Sequence, residues 1–250
     1  MLTIHDVAPL MFPDEGSWPR HATAAARRAA AVIVPSHASA RDIKSHLGLL
    51  NLHVIPNGVD PACYDTAPLS LEERRQLSLV GPHVVYAGGS SRRKNLAALA
   101  EAWRRVGETT GIELLVCGPD SSEKQRLFSG LPRCRVLGRV ERGKLLRLMR
   151  SSVALVVPST YEGFGLPVLE AMAVGTLVVA ARAPAIPEIA GDAAILVDPT
   201  ARGLANGIEA AITCDRRTRI AAGRRWAARF TWTESARRHV EVYAAVANDV

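Results

Sequence analysis

Short, continuously apolar runs bounded by turn residues alternate with longer segments whose apolar residues recur at helical spacing, and the alternation persists through most of the chain. Apolar runs without polar interruption are the signature of parallel strands covered on both faces. On this reading residues 83–86, 112–117, 135–137, 153–157, 176–180 and 194–197 are strands. Residues 96–106, 122–128, 141–149, 166–173 and 186–189 are helices between them, and Asp198-Pro199 has the cap-then-proline order of a further helix start. The pattern predicts an α/β fold with one complete Rossmann-like parallel-sheet domain over residues 61–230.

The flanks differ. Residues 2–4 and 31–34 read as buried parallel strands with helices near 20–30 and 38–46, and 52–55 is a third apolar run before the turn-rich Pro56-Asn57-Gly58-Val59-Asp60-Pro61. These first sixty residues are too few for a second complete domain. At the other end Thr231 and Glu234 form a capping-box pattern ahead of a helix carrying Val240, Val242, Tyr243 and Val246, so residues 231–250 form a separate helical tail.

Composition narrows the class. The 48% hydrophobic content supplies ample core, and residues 1–6 show neither the basic nor the apolar region of a secretory signal. The longest apolar stretch, 166–181, is broken by Pro167, Glu170 and Gly175, so a soluble, cytoplasmic chain is expected. Cys63, Cys117, Cys134 and Cys214 form no Cys-x-x-Cys pair, which fits a reducing compartment. Of the 31 basic residues only Lys44, Lys94, Lys124 and Lys144 are lysines. The arginines of 139–150 and 216–229 are interleaved with apolar residues at helical spacing, as solvated helix faces or as a peripheral contact with an anionic membrane. The aromatic-rich basic strand of an RNA-binding sheet is lacking, so nucleic acid is not an expected partner.

The chemistry concentrates in Glu162-Gly163-Phe164-Gly165-Leu166-Pro167-Val168-Leu169-Glu170, a turn between an expected strand and helix. Gly163 and Gly165 would let a ligand approach the backbone, and the N–H groups of Phe164, Gly165 and Leu166 at the helix start would face an anion. Carboxylates on both sides of a backbone-bound phosphate describe a nucleotide-sugar pocket. Gly88-Gly89-Ser90-Ser91 followed by Arg93 and Lys94 ends the strand at 83–86 on the same edge of the sheet, and an arginine fork with a lysine point charge suits a diphosphate. The chain has no Asp-x-Asp pair and no zinc-type ligand spacing, so no metal or other cofactor is expected and fixed charge must stabilise the leaving group. Residues 138–144 imitate a P-loop, but Leu145 stands where a magnesium-coordinating hydroxyl belongs, which removes an ATPase reading.

Residues 158–175, with Pro187-Glu188-Ile189-Ala190-Gly191-Asp192-Ala193-Ala194 and Arg93-Lys94-Asn95-Leu96, closely resemble the motifs of the GT4 family (glycosyl transferases group 1) of retaining glycosyltransferases. The resemblance covers nearly the whole chain. It implies a GT-B fold in which residues 1–60 are the carboxyl-terminal remnant of an acceptor-binding domain and linker, 61–230 the donor-binding domain, and 231–250 a helix crossing back. An amino-terminally truncated chain, missing its opening strands, is the expectation. The resemblance assigns Glu170 to the ribose hydroxyls, Glu162 to the transferred sugar, Arg139 and Val140 to the base, and His5 to the donor sugar from across the cleft. Gly88, Gly89, Arg93 and Lys94 fall in its phosphate loop, although many relatives carry an arginine where this chain has Gly89. The implied reaction is metal-independent transfer of a hexose with retention from GDP-mannose or a UDP-hexose to a glycan or lipid-linked acceptor, with mannose preferred for polysaccharide assembly. The alternative is a noncatalytic nucleotide-sugar-binding module, or half of a split enzyme that needs a separate acceptor-domain chain or self-association.

Overall fold

The computed structural model describes residues 1–19 and 21–248. Six of its strands, β4 (His83–Ala87), β5 (Glu113–Cys117), β6 (Cys134–Gly138), β7 (Ala154–Val157), β8 (Leu177–Ala181) and β9 (Ile195–Val197), form one parallel sheet in the order β6-β5-β4-β7-β8-β9. Alternate residues of each strand enter opposite cores. Val85, Leu115, Leu155 and Val178 pack on one face, while Val84, Leu114, Ala154 and Leu177 pack on the other. That is why these strands are apolar throughout rather than alternating. Burial of this double layer, at roughly 25 cal/mol per Å² of apolar surface, is the main stabilising term.

The three remaining described strands, β1 (Leu2–Thr3), β2 (Val32–Val34) and β3 (Leu52–Val54), form a separate parallel sheet in that order, with Leu2 opposite Val32 and Val34 opposite Val54. Short helices α1 (Ala8–Met11) and α2 (Ala22–Arg28) and the longer α3 (His37–Leu47) surround a small core of Ile4, Val7, Val32, Val34, Ile43 and Leu47. Arg20, placed at the start of the first expected helix, lies outside the described residues.

The larger sheet is flanked by α4 (Leu71–Gln76), α5 (Leu96–Thr109), α6 (Ser122–Phe128), α7 (Arg142–Arg150), α8 (Leu166–Val174), α9 (Ile186–Ala190), α10 (Ala201–Thr213) and α11 (Arg216–Ala227). Helix α5 buries a stripe of Leu96, Leu99, Ala100, Trp103 and Val106 at helical spacing. Helix α8 is buried from Val168 through Val174, so it is a core helix rather than an amphipathic one.

One expected start shifts and another forms in part. Thr200, not Asp198, caps α10, its hydroxyl accepting from Gly203 N at 3.0 Å; the Asp198 carbonyl instead crowds against Gly203, where a side chain would not fit. Ahead of α12 (Trp232–Asn248) only half of the capping box forms: Thr231 accepts from Glu234 N at 3.1 Å, but the Glu234 carboxylate turns to Arg237. The linker and this helix start meet. Val59 bridges Thr231, and a side chain on Gly58 would strike Trp232 N at 2.1 Å. Farther along α12, Arg238 donates to the Val54 carbonyl of β3 at 2.7 Å, so the tail packs on the amino-terminal sheet. Among the described residues no helix is long and apolar enough to cross a membrane.

Candidate functional site

The strand order reverses between β4 and β7, and a crevice opens beyond their carboxyl ends. The loop after β4 carries Arg93 and Lys94 in a 3-10 turn, Arg92–Lys94, and the loop after β7 carries Glu162. Asn95 ends the turn in the left-handed region at φ 54°, and its side-chain amide donates to the carbonyls of Pro158 and Pro199 at 3.0 Å each. Asparagine tolerates that backbone better than other side chains, and its amide ties the two loops together.

The acid and the two cations meet directly. Arg93 Nη1 donates to Glu162 Oε2 at 3.1 Å, and Lys94 Nζ and the Ser159 hydroxyl both donate to Oε1 at 2.7 Å. Glu162 is 9% exposed, so a charge that would be costly alone is balanced by ionised donors on both oxygens. Arg93 is shared: its Nε donates to Glu15 Oε1 at 2.6 Å, while Asp14 Oδ2 accepts from Arg92 N at 2.6 Å. Burial alone would raise the Glu15 pKa. Bonds from Ser91 and Arg93, with the charges of Arg93 and Lys94, outweigh burial and hold it below the ordinary carboxylate value.

Both glycines are also required by the packing of the turn. A side chain on Gly163 would lie 2.6 Å from Asp6 Cβ and 2.9 Å from the His5 carbonyl, so this glycine makes room for the amino-terminal segment. The Gly163 carbonyl accepts from Ser36 Oγ at 2.6 Å and Ser39 Oγ at 2.8 Å, and Ser39 Oγ also lies 2.9 Å from the His5 carbonyl. Gly165 is required by φ 102° at the start of α8, and a side chain there would reach Ile186 at 2.7 Å. The N–H groups of Phe164, Gly165 and Leu166 have no hydrogen-bond partner among the described residues, leaving them available to an anion. The Phe164 side chain is buried edge-on against Phe230.

Around the other side of α8 a cavity of about 520 Å³ is lined by Gly88, Gly118, Arg139, Val140, Arg142 and Glu170, among others. Four expected donor-site residues, Gly88, Arg139, Val140 and Glu170, therefore share one wall system, while Gly89, Arg93, Lys94, Phe164, Gly165 and Leu166 lie outside it. Glu170 is 8% exposed, and its Oε1 accepts from Arg142 Nη1 at 2.6 Å. Burial, with the nearby Glu170 charge, pushes the Cys63 thiol up to about 11, so it is an inert thiol. His5 is exposed, and the contact it makes at the turn is through its carbonyl.

Sequence reasoning missed Glu15, Arg142 and Lys124. Arg142 sits inside the false P-loop, whose Gly143 and Lys144 N–H groups are taken by the Glu141 carboxylate at 2.7 and 2.9 Å as the cap of α7. A lysine in the first turn of α6 was the available signal for Lys124, since the helix dipole disfavours a cation there. The arginine-rich segments are less solvated than their pattern suggests. Arg216 donates to the carbonyls of Ser152 and Val153, Arg224 to Tyr64, Arg150 to Gly175, and Arg147 pairs with Glu73.

Residues 81–214 match the family described as Glycosyl transferases group 1, and residues 1–62 match Glycosyltransferase Family 4. The chain is 34% identical to D-inositol 3-phosphate glycosyltransferase of Xylanimonas cellulosilytica over 86% of its length and 56% of that protein. It is 32% identical to phosphatidyl-myo-inositol mannosyltransferase of Mycobacterium tuberculosis over 77% of its length and 54% of that protein. It thus spans about half the length of these curated relatives. A glycosyltransferase from Rickettsia africae has the same fold at a TM-score of 0.81 and 18% identity, covering 100% of this chain and 71% of that one. Fold, paired loops and sequence agree: the chain is of the α/β GT-B type and belongs to the glycosyl transferases group 1 family, GT4.

Proposed function

We propose that this chain carries the donor-binding half of a metal-independent, retaining glycosyltransferase that moves a hexose from a nucleoside-diphosphate sugar to a glycan or lipid-linked acceptor. The observation that carries the reading is the convergence, at the switch point of the sheet, of the Arg93–Lys94 loop with the unpaired N–H groups of residues 164–166, beside a cavity holding Glu170. The diphosphate lies between the two cations and the start of α8, where fixed positive charge stabilises it as the glycosidic bond breaks. Ribose and base occupy the cavity, with Glu170 accepting from ribose hydroxyls and the Arg139–Val140 backbone along the base edge. Glu162 faces the sugar, and donor binding draws Arg93 and Lys94 partly away from it toward the diphosphate. His5, on the facing segment, meets the sugar from the opposite side. Since both glutamates are committed to cations, a front-face mechanism, in which the leaving phosphate takes the acceptor proton, suits the site better than a covalent carboxylate nucleophile.

GDP-mannose is the preferred donor and a UDP-hexose the other. Titration calorimetry with GDP and UDP, with and without a chelator, tests the reading: one diphosphate should bind unaffected by the chelator. Failure to bind either, or strict dependence on a divalent cation, would overturn it.

A second reading, half of a split enzyme working with a separate acceptor-binding chain, is favoured by β1, an edge strand paired on one side only among the described residues. Exposed Arg217 and Arg225, eight residues apart and on the same side of α11, leave a basic face for an anionic membrane, at the cytoplasmic side if the acceptor is lipid-linked. Cosedimentation with phosphatidylglycerol vesicles, lost on replacing these arginines, checks that contact.

A further inference from the structure

Lys124 is 0% exposed, yet its ammonium has no carboxylate partner among the described residues. Its Nζ donates to three backbone carbonyls, Gly88 at 2.8 Å, Pro119 at 3.0 Å and Cys117 at 3.3 Å, and lies 5.8 Å from the centre of the Tyr86 ring. Asp120 acts on it only through longer-range charge, and burial lowers its pKa. All three carbonyls belong to residues lining the 520 Å³ cavity, so this buried cation stands directly behind the cavity wall.

The surroundings are built around it. Gly118 has φ 121°, and a side chain there would lie 2.0 Å from the Gly88 carbonyl oxygen and 2.8 Å from Lys124 Nζ. Only a glycine lets the two loops and the ammonium come together. The Gly88–Gly89 loop is held from two sides, by Lys124 on the Gly88 carbonyl and by the Tyr86 hydroxyl, which donates to the Gly89 carbonyl at 2.5 Å. The Gly89 N–H, in the same peptide group as the Gly88 carbonyl, has no partner among the described residues. A cation on the carbonyl oxygen polarises that peptide and makes its N–H a stronger donor. A neutral amide donor could bond two of these carbonyls without the cost of burying a charge.

We propose that Lys124 is a positioning residue for the nucleotide diphosphate: it pins the Gly88–Gly89 and Gly118–Pro119 loops, and its buried ammonium holds a positive potential at the cavity wall that favours a charged ligand over a neutral one. The proposal rests on the donor-site reading above. It makes a prediction that a purely structural lysine does not, because loop anchoring alone affects every nucleotide alike, whereas the charge acts in proportion to the ligand's phosphates.

Calorimetry with uridine, UMP and UDP, and with guanosine, GMP and GDP, measures this on the wild-type chain and on Lys124→Met, Lys124→Gln and Lys124→Arg, each checked for folding by circular dichroism. The preference for diphosphate over nucleoside should fall about tenfold in Lys124→Met and Lys124→Gln, as expected for one charge within roughly 10 Å at an effective dielectric constant near 20. Lys124→Arg should retain most of it. Equal losses across each series, or unfolding of all three variants, would make Lys124 a structural anchor and overturn the proposal. Binding of neither diphosphate by the wild-type chain is a separate result, which removes the donor-site reading and this inference with it.

Discussion

Arg142 and Glu170, on α7 and α8, both line the cavity and meet in a 2.6 Å ion pair, and Arg142 also approaches Asp60 of the linker at 3.7 Å. The arginine is half exposed and the glutamate nearly buried, so the pair is worth little as a surface contact but leaves a costly carboxylate if broken. Arg142→Ala should lower stability by about 1 kcal/mol, read by urea unfolding. No loss would mean that water already balances Glu170.

Glu170→Ala should weaken binding of the free nucleoside diphosphate by about tenfold to a hundredfold, since hydrogen bonds to a charged acceptor contribute roughly 1.5 to 3 kcal/mol. Calorimetry reads the change directly, and unchanged affinity would remove Glu170 from the ribose.

Glu162→Gln has the opposite sign for the free diphosphate. It leaves Arg93 and Lys94 less neutralised, so diphosphate affinity should rise several-fold and its salt dependence steepen. Sugar transfer, measured with the acceptor-binding part present, should be lost at the same time. A loss of both would show Glu162 to be only a scaffold for the two cations.

Glu15 supplies a pH signature. Its folded pKa is held below the ordinary value, so its contribution to stability is present above the unfolded pKa and disappears as pH falls through the folded one. The thermal midpoint of Glu15→Gln should therefore fall below that of the wild type near neutrality and converge with it below about pH 4. A constant difference across that range would mean that the ion pair with Arg93 does not form in solution.

Gly163→Ala tests the junction between the two sheets. The new methyl would sit 2.6 Å from Asp6, and overpacking of this kind costs roughly 1 to 3 kcal/mol. Denaturant titration should show that loss, and tolerance of the alanine would mean that the amino-terminal segment yields easily.

Strand β1 pairs on one side only among the described residues, which bears on assembly. Unpaired strand edges recruit partners, so size-exclusion chromatography should show dimers or larger species, and transfer activity should appear only when an acceptor-binding segment is supplied. Robust turnover by a monomer would overturn the split-enzyme reading.

Much of this architecture was legible in the order of residues, because an apolar run and a helical stripe are local patterns and a strand buried on both faces has few alternatives. The six strands of the larger sheet and the turn carrying Glu162, Gly163 and Gly165 were readable in this way. Helix α4 carries an equally readable Ser70–Glu73 capping box. The short α1 has no side-chain cap at Val7; its local signals are Pro9 in its first turn and Asp6, whose carboxylate accepts from Ala8 N at 2.9 Å. What the order of residues did not contain is which charge meets which. Glu162 pairs with Arg93 and Lys94, 69 and 68 positions away, and Glu15 reaches Arg93 across 78. These contacts exist because the sheet places β4 beside β7 and the amino-terminal segment folds onto the intervening turn. Electrostatic pairing depends on distance in space, which only the folded chain sets, and a carboxylate that reads as a ligand acceptor in sequence is, in the fold, first the partner of its own cations.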